Sequence, residues 1–320
     1  MLFSALPGRA QRVTGELAQP AGTAPPLVNP LKVALLHWYK ANQVARFLVG
    51  SQPYGLCFDG ANIWVANYAS ASVTKLRAND GATLGTFALP GTAPIGVAFD
   101  GANIWVTNNG GSTVTKLRAS DGTTLGTFTV GRSPWWLAFD GANIWVANYG
   151  DGITNSTVSK LRAIDGKLLG TFTVGISPIG VAFDGSNVWV TNYGSSTVSK
   201  LRASDGAVLG TFAVGSNPLG IAFDGANMWV GNRNDSTVSK LRASDGTVLG
   251  TFNLGNNSAY GMAFDGANIW VAGDTFLQQL RLSDGAIQFQ FVPPSPLTGI
   301  AFDGASIWTS ELDRNGVSKF

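Results

Sequence analysis

The sequence predicts an all-β fold, a seven-bladed β-propeller of four-stranded blades, on three observations. The tripeptide Phe-Asp-Gly recurs at Phe58, Phe99, Phe139, Phe183, Phe223, Phe264 and Phe302, a spacing of roughly 40 residues that matches propeller blades. Each unit between these marks divides into four short runs of strand character separated by turn signals. The ends of the chain complement one another: the last unit stops without a fourth run, and the segment before the first unit supplies one.

In chain order, residues 1–43 lie ahead of the repeats and read as an N-terminal arm and a short helix. Pro20, Pro25, Pro26 and Pro30 sit among small and polar residues. Asn29-Pro30 makes a cap and first helical position for Leu31–Ala41. Leu31, Ala34, Leu35 and Trp38 share one face of that helix, and His37 reads as a rim or packing residue. Met1–Leu6 is too short for the apolar part of a secretory signal, so the default compartment is cytoplasmic.

Residues 44–320 are the propeller. Val44–Val49 matches the closing run of the other units and is predicted to be the outermost strand of the last blade, paired with Gly316–Phe320, so that no strand edge is left open at the seam. In the unit that begins at Pro94, strands are predicted at Gly96–Phe99, Asn103–Thr107, Thr113–Leu117 and Thr124–Val130. Trp64, Trp105, Trp145, Trp189, Trp229, Trp270 and Trp308 hold one position in the second run and read as aromatics stacked between blades. Asp59 and its six copies precede Gly in tight turns, and Asp80 with its five copies repeats that logic between the third and fourth runs. The Lys75–Arg77 pair and its copies read as a solvated sheet face.

Composition narrows function further. Only 12% of residues are charged, and the net charge of +2 leaves no basic footprint for nucleic acid. No apolar run is long enough for a membrane-spanning helix. One cysteine excludes an internal disulfide or a multi-cysteine metal site, and one histidine excludes a His-cluster metal site. No cofactor is required by the sequence, and a monomer is expected.

The stretch Ile104-Trp-Val-Thr-Asn108, followed by Thr113-Val-Thr-Lys-Leu and a closing Thr-Val-Gly, resembles the YVTN-type propeller repeat. The run from Pro94 through Phe-Asp-Gly to Val106 is also similar to NHL repeats and to streptogramin (virginiamycin B) lyase. The resemblance covers residues 44–320. It implies the propeller fold, is compatible with enzymes, surface proteins and binding scaffolds, and belongs to families that are often extracytoplasmic. Streptogramin-lyase likeness further implies elimination on a cyclic ester by a general-base histidine on a propeller loop. The chain's one histidine, His37, lies ahead of the repeats.

Whatever departs from the repeat is a candidate for function. Subtracting the repeated aspartates leaves Glu16, Asp151, Asp235, Asp274, Glu311 and Asp313. The off-pattern bases in the propeller are Arg46, Arg132, Lys167, Arg233 and Arg314. All of these but Glu16, Arg46 and Lys167 fall on the face formed by the fourth-to-first and second-to-third connections, here called the top.

The residue at the entry of each innermost strand reads Tyr54, Ile95, Trp135, Ile179, Leu219, Tyr260 and Thr298 around the ring. Trp136 follows in the third blade, where Gly prevails elsewhere. An apolar and aromatic collar around a channel mouth fits a ligand site, and it can also be read as a plug of the channel. The candidate ligand-binding residues are Tyr54, Arg132, Trp135, Trp136, Arg233 and Tyr260.

Asp274 and Glu311 are the candidate acid–base groups, and with Asn232 they would supply oxygen ligands for a divalent metal of the lactonase-like kind. Three readings follow: a module binding a small molecule, peptide or glycan; a lyase or hydrolase acting at the same mouth; and a structural or cell-surface repeat protein. The repeat positions themselves should behave as scaffold. Trp189→Ala is expected to destabilise the fold by about 3–5 kcal/mol, measured by urea unfolding, and a neutral effect would show that the blade core lies elsewhere.

Overall fold

The computed structural model describes residues 44–153 and 156–320. Seven four-stranded antiparallel sheets are present, and six are built from consecutive strands. In the second blade the strands are Pro94–Phe99, Asn103–Asn108, Thr113–Arg118 and Thr124–Thr129, within two residues of the predicted bounds. The predicted helix over Leu31–Ala41, with His37, lies outside the described residues. Two single-turn 3-10 helices, Asn109–Gly111 and Leu312–Arg314, interrupt the strands. Among the described residues no helix is long and apolar enough to cross a membrane.

The seventh sheet closes the ring. Its three C-terminal strands are Leu297–Phe302, Ile307–Glu311 and Gly316–Lys319. The fourth, Ala45–Leu48, comes from the other end of the propeller segment. It pairs antiparallel with register Ala45↔Lys319 to Leu48↔Gly316, as the sequence predicts.

Alternation along each strand puts apolar side chains between neighbouring blades. The cluster around Trp105 joins Val114 and Val130 of the second blade to Leu137, Ile144 and Leu161 of the third. Six of the seven repeat tryptophans are fully buried, while Trp270 is partly exposed. Each indole N–H donates to the repeat aspartate of its own blade, as in Trp105 Nε1 to Asp100 Oδ2 at 2.8 Å. The same carboxylate accepts from the backbone N–H groups of Ala102 and Asn103. One Asp therefore shapes the turn and orients the core ring.

The repeat lysines are not on a solvated face. Lys116 is 6% exposed, stands 5.2 Å from the Trp105 ring centroid and donates to the Ala163 carbonyl of the next blade at 2.7 Å. Its neighbour Arg118 does reach solvent, at the strand end, where it pairs with Asp121. Lys319 makes the corresponding bridge across the seam, to the Ala78 carbonyl. In the sixth blade Gln279 takes the lysine's place.

Glu311 belongs to this seam. It is 1% exposed and accepts from Arg46 Nε of the closing strand at 2.6 Å and from the Ser318 hydroxyl. Arg46 Nη2 donates to the Arg314 carbonyl. Phe47, one residue on, packs against Trp308 with ring centroids 5.4 Å apart. It also covers Gly81 of the first blade, which has φ +72 and no space for a β-carbon. The closing strand is thus locked on both sides.

A chain beginning at Gly50 is expected to lose cooperative melting, since both seam edges would be exposed; unchanged melting would exclude the closure. Glu311→Ala should cost about 2–3 kcal/mol, because it strips a buried charged hydrogen-bond acceptor. Arg77→Ala, which breaks a solvent-exposed pair with Asp80, should cost about 0–1 kcal/mol. Equal losses in urea unfolding would count against the lock.

Three of the tryptophan-binding aspartates also contribute to the acid limit. Burial works to raise the carboxyls of Asp59, Asp224 and Asp265, and the hydrogen bonds from Trp, Asn and backbone donors outweigh it, so all three lie below the usual value. A depressed folded value contributes stability above the unfolded value and loses it as pH falls through the folded one. The melting temperature is therefore expected to fall steeply below about pH 4, and a flat profile there would refute the assignment.

Candidate binding site at the channel mouth

The innermost strands begin at the top face with a residue held by the turn before it. That loop residue, Gln52 in the first blade and Ser133 in the third, has φ 51 in both cases. Its carbonyl accepts from the backbone N–H just past the second strand, as in Tyr68 N to Gln52 O at 2.9 Å and Tyr149 N to Ser133 O at 3.0 Å. Two rings of side chains result. One is the predicted collar from Tyr54 to Thr298. The other reads Tyr68, Asn109, Tyr149, Tyr193, Arg233, Asp274 and Leu312.

The rings interlock through aromatic contacts. Tyr54 and Tyr68 lie with centroids 5.4 Å apart, and Trp135 and Tyr149 at 6.3 Å. Arg233 stacks its guanidinium 4.7 Å from the centroid of Tyr260 in the next blade. On its other side it reaches the Tyr193 hydroxyl at 3.4 Å. All five tyrosines of the propeller segment fall in these two rings.

Beneath the collar lies an axial cavity of about 170 Å³. Every blade contributes at least one apolar side chain to it, from Leu56 to Ile300, and Gly180, Gly220 and Gly261 form part of its wall. In six blades this strand position is Gly, and a β-carbon on Gly96, Gly220 or Gly299 would collide with a carbonyl of the following blade. The third blade carries Trp136 instead. Its ring lies 3.0 Å from where a β-carbon on Gly55 would stand, two blades away. Trp136 fills one side of the channel, and Tyr260 lines the cavity from above.

Charge at the mouth is fixed by burial and by Arg233. Burial and the Asp274 carboxylate push the Tyr260 phenol up against the opposing pull of Arg233. Burial and Tyr68 push Tyr54 up as well. Both stay protonated near neutrality and can donate hydrogen bonds. Burial acts to lower Arg233, while Tyr260, Tyr193 and Asp274 outweigh it and hold the guanidinium above its ordinary value. It remains a cation at any working pH.

Of the sequence candidates, Tyr54, Trp135, Trp136, Arg233 and Tyr260 are placed at one opening. Arg132 is exposed on the same loop face as Trp135, and its backbone carbonyl accepts from Gly150. Asp274 is exposed and acts on Arg233 and Tyr260 at longer range than an ion pair. Glu311 is elsewhere: it is the last residue of its strand, one place before the mouth ring. A one-residue step along an extended chain turns the side chain to the other face, and that face is the seam.

Asn232 occupies the equivalent inward position and donates to Thr237 and Ser239 of its own blade. Asp274, Glu311 and Asn232 therefore do not converge on a common cation. Among the described residues no group of three or more His, Cys, Asp or Glu side chains could hold a metal ion. The residues that sequence reasoning missed are Tyr68, Tyr149 and Tyr193. They recur after Asn in several blades and so look like scaffold. The signal that could have found them is the confinement of tyrosine to two register positions.

Seven four-stranded sheets around an axial cavity define the class, a seven-bladed β-propeller. Its fold is that of streptogramin-lyase-like propellers. A streptogramin B lyase structure superposes with a TM-score of 0.73 at 18% identity, covering 87% of this chain and 96% of that one. Virginiamycin B lyase from Staphylococcus aureus gives 0.73 at 17% identity, covering 87% and 98%. Kuenenia stuttgartiensis hydrazine synthase gives 0.73 at 18%, covering 84% and 95%. No protein-family model and no curated protein sequence matches the chain.

Proposed function

We propose that this protein is a binding propeller that takes a small molecule, peptide or glycan at its channel mouth. The observation that carries the proposal is the convergence of five tyrosines, Trp135, Trp136 and Arg233 on one opening above an axial cavity. Aromatic side chains give large contact area at low entropic cost, and phenol hydroxyls give donors that fix orientation. Trp136 supports the reading most directly. The six other blades show that Gly satisfies the fold at this position, so the blade itself does not require an indole there.

The second reading is an enzyme at the same mouth, and the observation favouring it is the fold shared with the lyases, one of which is known in complex with quinupristin. Here Asp274 is the remaining candidate base, because Glu311 is engaged in the seam and Tyr54 and Tyr260 are held protonated. Fold likeness alone does not carry chemistry from one propeller to another, and the binding reading needs no base.

Screening peptides, oligosaccharides and aromatic small molecules by intrinsic tryptophan fluorescence, and by loss of the added compound, separates the two. Trp136→Gly is expected to weaken binding by about tenfold or more with an unchanged melting temperature. Asp274→Asn should alter affinity by no more than about threefold, as expected of an exposed charge. A loss of about 10²–10⁴ in turnover in that variant would establish the enzyme reading instead. Wild-type binding in folded Trp136→Gly protein would place the site elsewhere.

A further inference from the structure

We propose that the mouth and the cavity form one two-part site whose ligand is a small aromatic or cyclic carboxylate, with its ring in the axial cavity and its carboxylate on Arg233. The proposal rests on the reading of the mouth as a binding site and adds the chemical class of what binds there.

Two independent features meet at Tyr260. Below it is the cavity, with apolar side chains from every blade and the Trp136 indole in its wall. A space of about 150 Å³ is large enough for benzene, so one of about 170 Å³ has room for one six-membered ring. Above it is Arg233, stacked on the same Tyr260 ring. Arg233 takes part in none of the ion pairs formed among the described residues. Among the described residues its side-chain hydrogen bond is the long contact to the Tyr193 hydroxyl.

A guanidinium carries five N–H donors in a planar fork that matches a carboxylate. Here the fork is held in place by stacking and largely unspent. The contrast with the repeat arginines is direct, since Arg77 and its copies each spend their charge on the aspartate three residues on. Asp274 is the carboxylate that acts on Arg233, and it does so from an exposed position beyond ion-pair distance. A positively charged amine would meet Arg233 in this place, so the site selects by charge as well as by shape.

The test uses four probes of graded chemistry on the wild-type propeller: phenylacetate, phenylacetamide, phenethylamine and acetate, titrated by tryptophan fluorescence and calorimetry at low and moderate salt. Phenylacetate is expected to bind about tenfold or more tightly than phenylacetamide and acetate, and phenethylamine weakest of all. Arg233→Gln, checked for an unchanged melting temperature, should bring phenylacetate to within about twofold of the amide. This charge series decides the matter in the wild-type protein even where the variant fails to fold.

Equal binding of phenylacetate and its amide removes the role of Arg233 and overturns the proposal. Equal binding of acetate and phenylacetate removes the cavity and overturns it too. Absence of binding by all four probes also overturns it, while the mouth reading is still judged on its own by the response of larger ligands to Trp136→Gly.

Discussion

The interaction on which the rest of this structure depends is the buried tryptophan between blades. A single four-stranded blade leaves both faces apolar, and it can bury them only against its neighbours. The indole fixes that contact in three directions at once. Its N–H is tied to the aspartate of its own turn, a lysine ammonium covers its ring, and the phenylalanine of the outer strand packs against it, as Phe128 does on Trp105 at 5.5 Å. The lysine then donates to the following blade, so orienting the ring also joins the units.

Such an arrangement is stable only when the circle is complete. Six of the seven sheets use consecutive strands, and the seventh takes its outer strand from the opposite end of the segment. The seam therefore carries what no other blade has, the Arg46–Glu311 pair with Ser318. In five blades the position of Glu311 is an Asn whose amide N–H₂ bonds hydroxyls in the next strand, as Asn67 does with Ser72 and Thr74. Replacing a neutral amide by a carboxylate gives the closing strand an ionic partner where the others have only their own chain continuity.

With the scaffold this repetitive, chemistry is confined to positions that the blade contacts leave free. Two such rings lie at the entry of the innermost strand and just past the second strand, where some members still serve the blade contacts, as Thr298 does in donating to the Pro53 carbonyl of the first blade. There the repeats diverge: Ile, Leu and Thr are buried in some blades, and aromatic or charged groups stand in others. Trp136 shows the constraint and the freedom together. Gly at this position lets adjacent backbones approach, and one blade gives that up to place an indole in the channel.

The sequence by itself determined the fold, the blade number and the closing strand, because repeat period, turn chemistry and alternation are local properties that recur seven times. It also singled out Tyr54, Trp135, Trp136, Arg233 and Tyr260 as departures from the repeat, since each breaks the pattern of its neighbours. It misread Glu311, which departs from the repeat as clearly as Asp274 does and yet faces the seam. It passed over Tyr68, Tyr149 and Tyr193, whose recurrence hid them among the scaffold. Only the tertiary structure decided these cases. Which side of a strand end a residue faces, and which blade it meets across the channel, follow from strand phase and from the closing of the ring, and neither is written in any single repeat.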